Sequence, residues 1–145
     1  MKYQCTIIIN KPRDIVWKLL SNPDDIGKWS KGFKKLEIVS GFPGEEGSQV
    51  KHIYEEKGRE IEFLIDVVKV VENRCLHYVS FHETMSINVK NVLEKADHHS
   101  TSLISHVDVT FHKLFFRIMS PLMKRAFLKR HKEDFGRMKK LLEES

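Results

Sequence analysis

The chain has 145 residues and a net charge of +5, and 41% of its residues are hydrophobic and 31% charged. This composition is typical of a globular protein, and the length predicts one domain, residues 1–145, with a substantial core. No apolar run approaches the roughly 18 residues of a membrane-spanning helix, and the N-terminal run is too short for a signal peptide, so we expect a cytoplasmic protein. Cys5 and Cys75 lack metal-ligand spacing and are expected to be reduced.

The N-terminal segment predicts one strand followed by two short helices. Residues 2–10 alternate and then run apolar, which is typical of a strand. Pro12 suits the first turn of a helix, and Asn22-Pro23 combines an N-cap residue with a proline at a position that needs no N–H. The second helix is short and ends near Trp29.

Six strands follow, separated by short turns. Apolar side chains occupy alternate positions in most of them, although the inner face of residues 75–83 is ambiguous. The predicted strands are residues 36–42, 48–57, 59–72 and 75–83, then two with inner faces from Met85 to Leu93 and from Leu103 to Phe111. Short connections favour an antiparallel meander with one apolar face.

A long C-terminal helix is the element available to cover that face. Ser120-Pro121 resembles an N-cap with a first-turn proline, which places the helix start there; alternatively, an apolar stripe upstream makes Pro121 a kink. That upstream stripe would comprise Phe115, Ile118, Met119 and Leu122. The downstream stripe recurs in steps of three and four residues and comprises Leu128, His131, Phe135, Met138 and Leu142.

These elements predict an α+β fold: a curved, antiparallel seven-stranded sheet wrapped around a long C-terminal helix. Two short helices lie between the first and second strands. A helix gripped in this way rarely fills the whole concavity of the sheet, so the gap between them is a natural small-molecule cavity.

The order of these signals resembles a known superfamily. The segments that carry the resemblance are NKPRDIVW at 10–17, Asn22-Pro23, Trp29, VSGFPGEEGS at 39–48, Ser100-Thr101 and MKKLLE at 138–143. They are similar to the START and birch-pollen-allergen superfamily (SRPBCC), in its bacterial polyketide cyclase/dehydrase and lipid transport branch. The resemblance spans the chain and implies a START-like, helix-grip fold. Members include lipid carriers, quinone-binding proteins, aromatase/cyclases, chaperone activators and a ribosome-associated toxin, with no universal catalytic motif.

Several polar and aromatic residues fall on the predicted inner faces. As a set the polar ones would orient a ligand with a carbonyl, hydroxyl or carboxylate group in an apolar pocket; singly, each polar residue is explained by hydrogen bonding within the core or by a place at the cavity mouth. The candidates are His52, Tyr54, Phe63, Asn91, Ser105, His131 and Phe135. His131 is the best single candidate because it interrupts the apolar stripe of the helix. His52 and Tyr54 share a face and suit general acid–base chemistry.

The positive charge is concentrated at the C-terminus. Residues 113–145 carry ten Lys and Arg against four acids, whereas residues 1–112 carry fifteen against sixteen. A solvated helix face explains such a run, but a basic helix also docks on RNA, a ribosome or an anionic membrane. The residues proposed for this basic face are Lys124, Arg125, Lys129 and Arg130.

The sequence therefore favours a carrier or sensor of a hydrophobic small molecule or lipid. The alternatives are an interaction protein that uses the basic helix, and a cyclase or dehydratase-like enzyme. No cofactor, metal site or catalytic residue is predicted: there is no phosphate-binding glycine loop, and His98-His99 in a turn is better explained as solvated.

Overall fold

The computed structural model describes all residues from Met1 to Ser145. Seven strands form one antiparallel sheet in the order β1-β7-β6-β5-β4-β3-β2. In chain order the elements are β1 (Lys2–Ile9), α1 (Arg13–Ser21), a 3-10 turn (Pro23–Asp25), α2 (Ile26–Trp29), β2 (Phe33–Ser40), β3 (Gln49–Glu56), β4 (Arg59–Val71), β5 (Cys75–His82), β6 (Met85–Lys95), β7 (Thr101–Phe111) and α3 (Leu114–Glu143).

The predicted α+β fold with seven antiparallel strands and a long C-terminal helix is confirmed. The alternation of apolar residues made it predictable, because successive strand side chains point to opposite sides of the sheet. In β7 the residues of one face are buried without exception, from Thr101 to Phe111, and those between them are more exposed. From β3 onward each strand pairs with the one before it, and β1 forms the edge of the sheet beside β7, opposite the edge formed by β2.

The two short helices lie where β1 and β2 diverge. Pro12 is the N-cap of α1, and its extended backbone is what a proline favours. The side chain of Asn22 accepts a hydrogen bond from the Asp24 amide at 3.0 Å, so the predicted cap is present. It opens a 3-10 turn, and α2 adds only one further turn before it ends at Trp29.

The long helix begins at Leu114, six residues before the predicted start at Ser120, and Pro121 lies within the helix, as the alternative interpretation required. The upstream apolar residues were predicted to extend the inner stripe, and this prediction is wrong: Ile118 is 69% and Leu122 65% exposed. The reason is helical phase. Nine residues, about two and a half turns, separate Leu122 from His131, which places them on opposite sides of the helix.

Two clusters of buried side chains fill most of the interior. The larger lies beneath α1 and the C-terminal half of α3, where Phe135 and Met138 are at most 2% exposed. The smaller lies on β6 and β7, where the N-terminal half of α3 adds the partly buried Phe116, Met123 and Phe127. Sheet positions on β3 to β5 belong largely to neither cluster, and they border a cavity.

A cavity between the sheet and the C-terminal helix

A cavity of about 410 Å³ lies between the inner face of the sheet and α3. It is lined by 32 residues, of which 19 are hydrophobic. This volume is within the range of small-molecule sites in proteins, and so is the mixture of apolar walls with a few polar groups. The concavity of the sheet therefore encloses space that neither core cluster fills.

Alternate residues of four strands form the wall on the sheet side. Because strand side chains alternate between faces, each strand contributes every second residue. They include Val50, His52 and Tyr54 on β3; Ile61, Phe63, Ile65 and Val67 on β4; Leu76, Tyr78, Ser80 and His82 on β5; and Met85, Ile87, Val89 and Asn91 on β6.

An aromatic cluster covers the part of the wall formed by β2 to β5. The ring of Phe33 lies edge-on to His52 and Tyr54 at centroid distances of 5.4 and 5.5 Å. Phe63 continues the cluster, with its centroid 5.8 Å from Tyr54 and 5.4 Å from His82. Burial lowers the pKa of His52 to about 4, because the charged imidazolium loses its hydration. His52 is therefore a neutral member of this cluster at pH 7.

The helix contributes a histidine–tyrosine pair. Nδ1 of His131 lies 3.2 Å from the Tyr3 hydroxyl, and its ring packs against Phe135 at 4.5 Å. Burial lowers the pKa of His131 to about 4 and raises the pKa of Tyr3 above its usual value. Both groups are thus uncharged at pH 7 and joined by one hydrogen bond.

Arg130 marks the rim of the cavity. Its guanidinium donates to the Lys31 carbonyl at 2.8 Å, approaches Glu56 at 3.4 Å and lies 5.8 Å from the centre of the Tyr54 ring. Arg130 was predicted to lie on the outer basic face of α3, but in the structure its side chain points toward the sheet and contacts Glu56 and Tyr54. Asp134, one turn further along α3, accepts from the Lys31 amide at 3.2 Å and from Arg137. Burial raises the pKa of the Asp134 carboxyl.

The seven predicted cavity residues divide into two groups. Six of them border the cavity: His52, Tyr54, Phe63, Asn91, His131 and Phe135. Ser105 does not, although it is fully buried. It lies on β7 directly opposite Cys5 of β1, which belongs to the larger core cluster, so packed side chains rather than open space surround that part of the sheet.

The sequence did not identify several polar residues of the cavity: Tyr3, Ser30, Tyr78, Ser80, His82 and Asp134. The alternation of Leu76, Tyr78, Ser80 and His82 was visible. It was ambiguous because the opposite face of β5 carries Phe81, which is 39% exposed. Pairs such as Ser30 and Tyr54, whose hydroxyls lie 3.1 Å apart, depend on contacts between distant segments that carry no local signal.

Other sequence candidates lie away from the cavity. Lys124, Arg125 and Lys129 are exposed on α3 and form no ion pair. His98 and His99 are exposed in the turn before β7. No three His, Cys, Asp or Glu side chains come close enough together to hold a metal ion. None of the helices has both the length and the apolar character that crossing a bilayer requires.

A second, wider cleft of about 530 Å³ lies on the outer face of β4 to β6. Its floor includes Val71, Cys75 and Val92. Five cations and one acid, Glu94, also line it; the cations are Arg13, Lys69, Arg74, Lys90 and Lys95. These residues come from the part of the sequence in which positive and negative charges nearly cancel, so the fold creates a basic patch there.

The fold and the cavity define a helix-grip protein with an apolar interior site. The family model described as polyketide cyclase / dehydrase and lipid transport matches residues 1–143, and the chain belongs to this family. Comparison with curated protein sequences finds no significant match.

Solved structures show the same fold at low sequence identity. The Zhui aromatase/cyclase from Streptomyces sp. R1128 superposes with a TM-score of 0.81 at 14% identity, over 99% of this chain and 93% of that one. Ara h 8.0201 gives 0.75 at 16% identity, over 100% and 99%. Norcoclaurine synthase from Thalictrum flavum, in complex with dopamine and hydroxybenzaldehyde, gives 0.73 at 15%, over 99% and 87%.

Proposed function

We propose that the protein binds a hydrophobic small molecule or lipid in the cavity, as a carrier or sensor in the cytoplasm. The observation that carries this proposal is an interior space of about 410 Å³ with mostly hydrophobic walls. The family description, which names lipid transport, supports it. The two cysteines are unpaired, which suits a reducing compartment.

The size of the cavity is compatible with useful affinity. A ligand that buries roughly 300 Å² of apolar surface gains about 7 kcal/mol at 25 cal/mol per Å². Against this gain stands the loss of the ligand's translational and rotational freedom, which costs at least about 4 kcal/mol, so the affinity also depends on the polar contacts that the ligand makes. The neutral state of His52 and His131 adds to this, because no charged group of those two side chains must be desolvated when a ligand enters.

Native mass spectrometry with a panel of fatty acids, quinones and aromatic polyketides tests this function. We expect at least one class to bind to the wild type and to be excluded by Ile87→Trp, which fills the cavity from β6. Ser86→Trp, on the other face of the same strand, is the matched control and should bind normally. Absence of binding across the panel, together with an experimental structure that shows a filled interior, would reject the proposal.

A catalytic use of the same cavity is a second candidate, and the Tyr3–His131 pair favours it. A neutral imidazole held 3.2 Å from a phenol is able to transfer a proton within a ligand that contacts both. The family description includes cyclases and dehydrases. Turnover of a polyketide substrate that is abolished by His131→Phe, with ligand binding retained, would support catalysis. Turnover unaffected by this substitution would reject a catalytic role for the pair.

The outer face of α3 supports a further candidate, docking on an anionic membrane. Leu114, Phe115, Ile118 and Leu122 are each at least 65% exposed and lie on one side of the helix. Lys124, Arg125 and Lys129 follow directly along the chain. Large apolar side chains that continue into unpaired cations match a bilayer interface, where each cation near an anionic surface contributes about 1 kcal/mol.

Vesicle co-sedimentation separates this idea from RNA binding. We expect binding to phosphatidylserine-containing vesicles that weakens with salt and is lost in Ile118→Ser/Leu122→Ser, while Lys140→Gln, also exposed on α3, binds as the wild type. RNA binding would depend on the cations and not on the apolar side chains. Binding that survives the double serine variant, or that occurs with RNA but not vesicles, would reject membrane docking.

A further inference from the structure

Two buried polar atoms in the chain lack a hydrogen-bond partner, and both lie at one place in the sheet. They are Oδ1 of Asn91 and Oγ of Ser105. Asn91 is 3% exposed and Ser105 fully buried, and the two residues are directly opposite each other on β6 and β7. A buried polar group left without a partner destabilises a protein, so two such groups side by side need an explanation.

The position of Asn91 supplies one. Asn91 borders the cavity, and its strand neighbours on either side, Leu76 and Ser105, do not satisfy its oxygen. Elsewhere in the cavity Tyr3 is paired with His131 and Ser30 with Tyr54, and Oδ1 of Asn91 is the one atom of the lining that is both buried and without a partner. The Asn91 amide is therefore an unsatisfied hydrogen-bonding group in a largely apolar wall.

We propose that Asn91 is the polar anchor of the cavity and that it selects ligands with an uncharged oxygen group, a hydroxyl or a ketone, on an apolar body. This inference rests on the proposed binding function and specifies its ligand. A side-chain amide offers both an acceptor and donors, and a half-turn of its plane exchanges them, so Asn91 can pair with either group.

Charge excludes a carboxylate from the same position. The cation that borders the cavity is Arg130, which is already engaged by Lys31 and Glu56 at the rim. Three strand spacings, roughly 14 Å along the sheet, separate β6 from β3, where Glu56 lies. A carboxylate beside Asn91 would be buried without a counterion, and burial without a partner disfavours a charge strongly.

Three compounds with the same ring system test this selectivity: naphthalene, 2-naphthol and 2-naphthoate, titrated calorimetrically at pH 7. One hydrogen bond to a buried amide is equivalent to roughly a two- to tenfold gain in affinity. We therefore expect the wild type to bind 2-naphthol severalfold more tightly than naphthalene, and 2-naphthoate more weakly than both. In Asn91→Leu, which keeps the side-chain size, the preference for 2-naphthol should fall to about one.

The matched control is Asn88→Leu, on the outer face of the same strand, which should keep the wild-type preference. Asn91→Leu should also raise the melting temperature of the unliganded protein by a few degrees, since it removes an unsatisfied group. If Asn91→Leu does not fold, Asn91→Val is measured instead.

The results separate this inference from the proposed function. Binding of naphthalene and 2-naphthol with equal affinity by the wild type, a preference that survives in Asn91→Leu, or tight binding of 2-naphthoate overturns the role of Asn91 and leaves a cavity that binds ligands. Failure of all three compounds, and of the wider panel, overturns both.

Discussion

The two partly buried histidines of the cavity, His52 and His131, should make the stability of the protein fall as the pH is lowered from 7 to 5. Their pKa values are about 4 in the folded chain, against 6.5 for an unperturbed histidine. Between these values the unfolded chain binds more protons than the folded one, and stability then rises with pH. The contribution of each histidine is complete above pH 6.5 and is lost progressively down to about pH 4.

The magnitude follows from the size of the shifts. At pH 5 each histidine costs roughly 2 kcal/mol of unfolding free energy relative to pH 7, and the pair roughly 4 kcal/mol. That is a large fraction of the 5–15 kcal/mol that stabilises a typical domain. Asp134 acts in the opposite sense, because burial raises its pKa and the folded chain protonates it first. The raw pH dependence therefore mixes both effects.

Urea denaturation at pH 7 and pH 5, followed by circular dichroism, measures the loss of stability between the two pH values. Comparing this loss in the wild type and in a histidine variant gives the contribution of that histidine. His52→Phe should reduce the loss of stability between the two pH values by about 2 kcal/mol, since Phe keeps the aromatic contacts and cannot be protonated. His98→Gln, in an exposed turn, is the control and should not change it. An unchanged pH dependence in His52→Phe would refute the assignment of a buried, neutral imidazole.

Three further substitutions test the packing of the fold by chemical denaturation. Phe135→Ala should destabilise by about 3–5 kcal/mol, because it opens a cavity at a side chain that is 2% exposed, and a loss under 1 kcal/mol would contradict that burial. Asn22→Ala should lower the free energy of unfolding by about 1 kcal/mol, because it removes the hydrogen bond that caps the Asp24 amide; unchanged stability would show that this cap does not stabilise the fold. Gly32→Ala should cost more than 1 kcal/mol, since φ is +80° and the added Cβ would lie 2.8 Å from the Glu55 carbonyl oxygen; a neutral result would contradict this geometry.

Local sequence pattern predicted the inner face correctly for the C-terminal half of α3 but not for its N-terminal half. The stripe from His131 to Leu142 was predictable because it repeats every three or four residues on one helix. Ile118 and Leu122 repeat in the same way among themselves, and only their offset from the later stripe puts them in solvent. That offset is present in the sequence, but it applies only if one helix runs unbroken through Pro121, and the local pattern left open whether the helix begins there.

Sequence pattern likewise predicted some of the cavity residues and not others. Sheet alternation was enough to place His52, Tyr54, Phe63 and Asn91 on the inner face, because a strand has only two faces. It could not distinguish inner positions beside open space from Ser105, which lies opposite Cys5 of the packed core. Nor could it show that Arg130 would turn from the outer face of α3 to the rim.

The sequence alone determined the seven antiparallel strands, the two short helices and the apolar stripe that α3 presents to the sheet. These depend on periodicity and capping, which act over a few residues. Tertiary structure decided which polar groups meet, as in the contact of Tyr3 with His131, and which stay unpaired, as Asn91 does. It also gathered the cations of the outer cleft from a segment with almost no net charge. The physical reason is that hydrogen bonding, burial and surface charge depend on distances between remote segments, and these exist only after the sheet has closed around its helix.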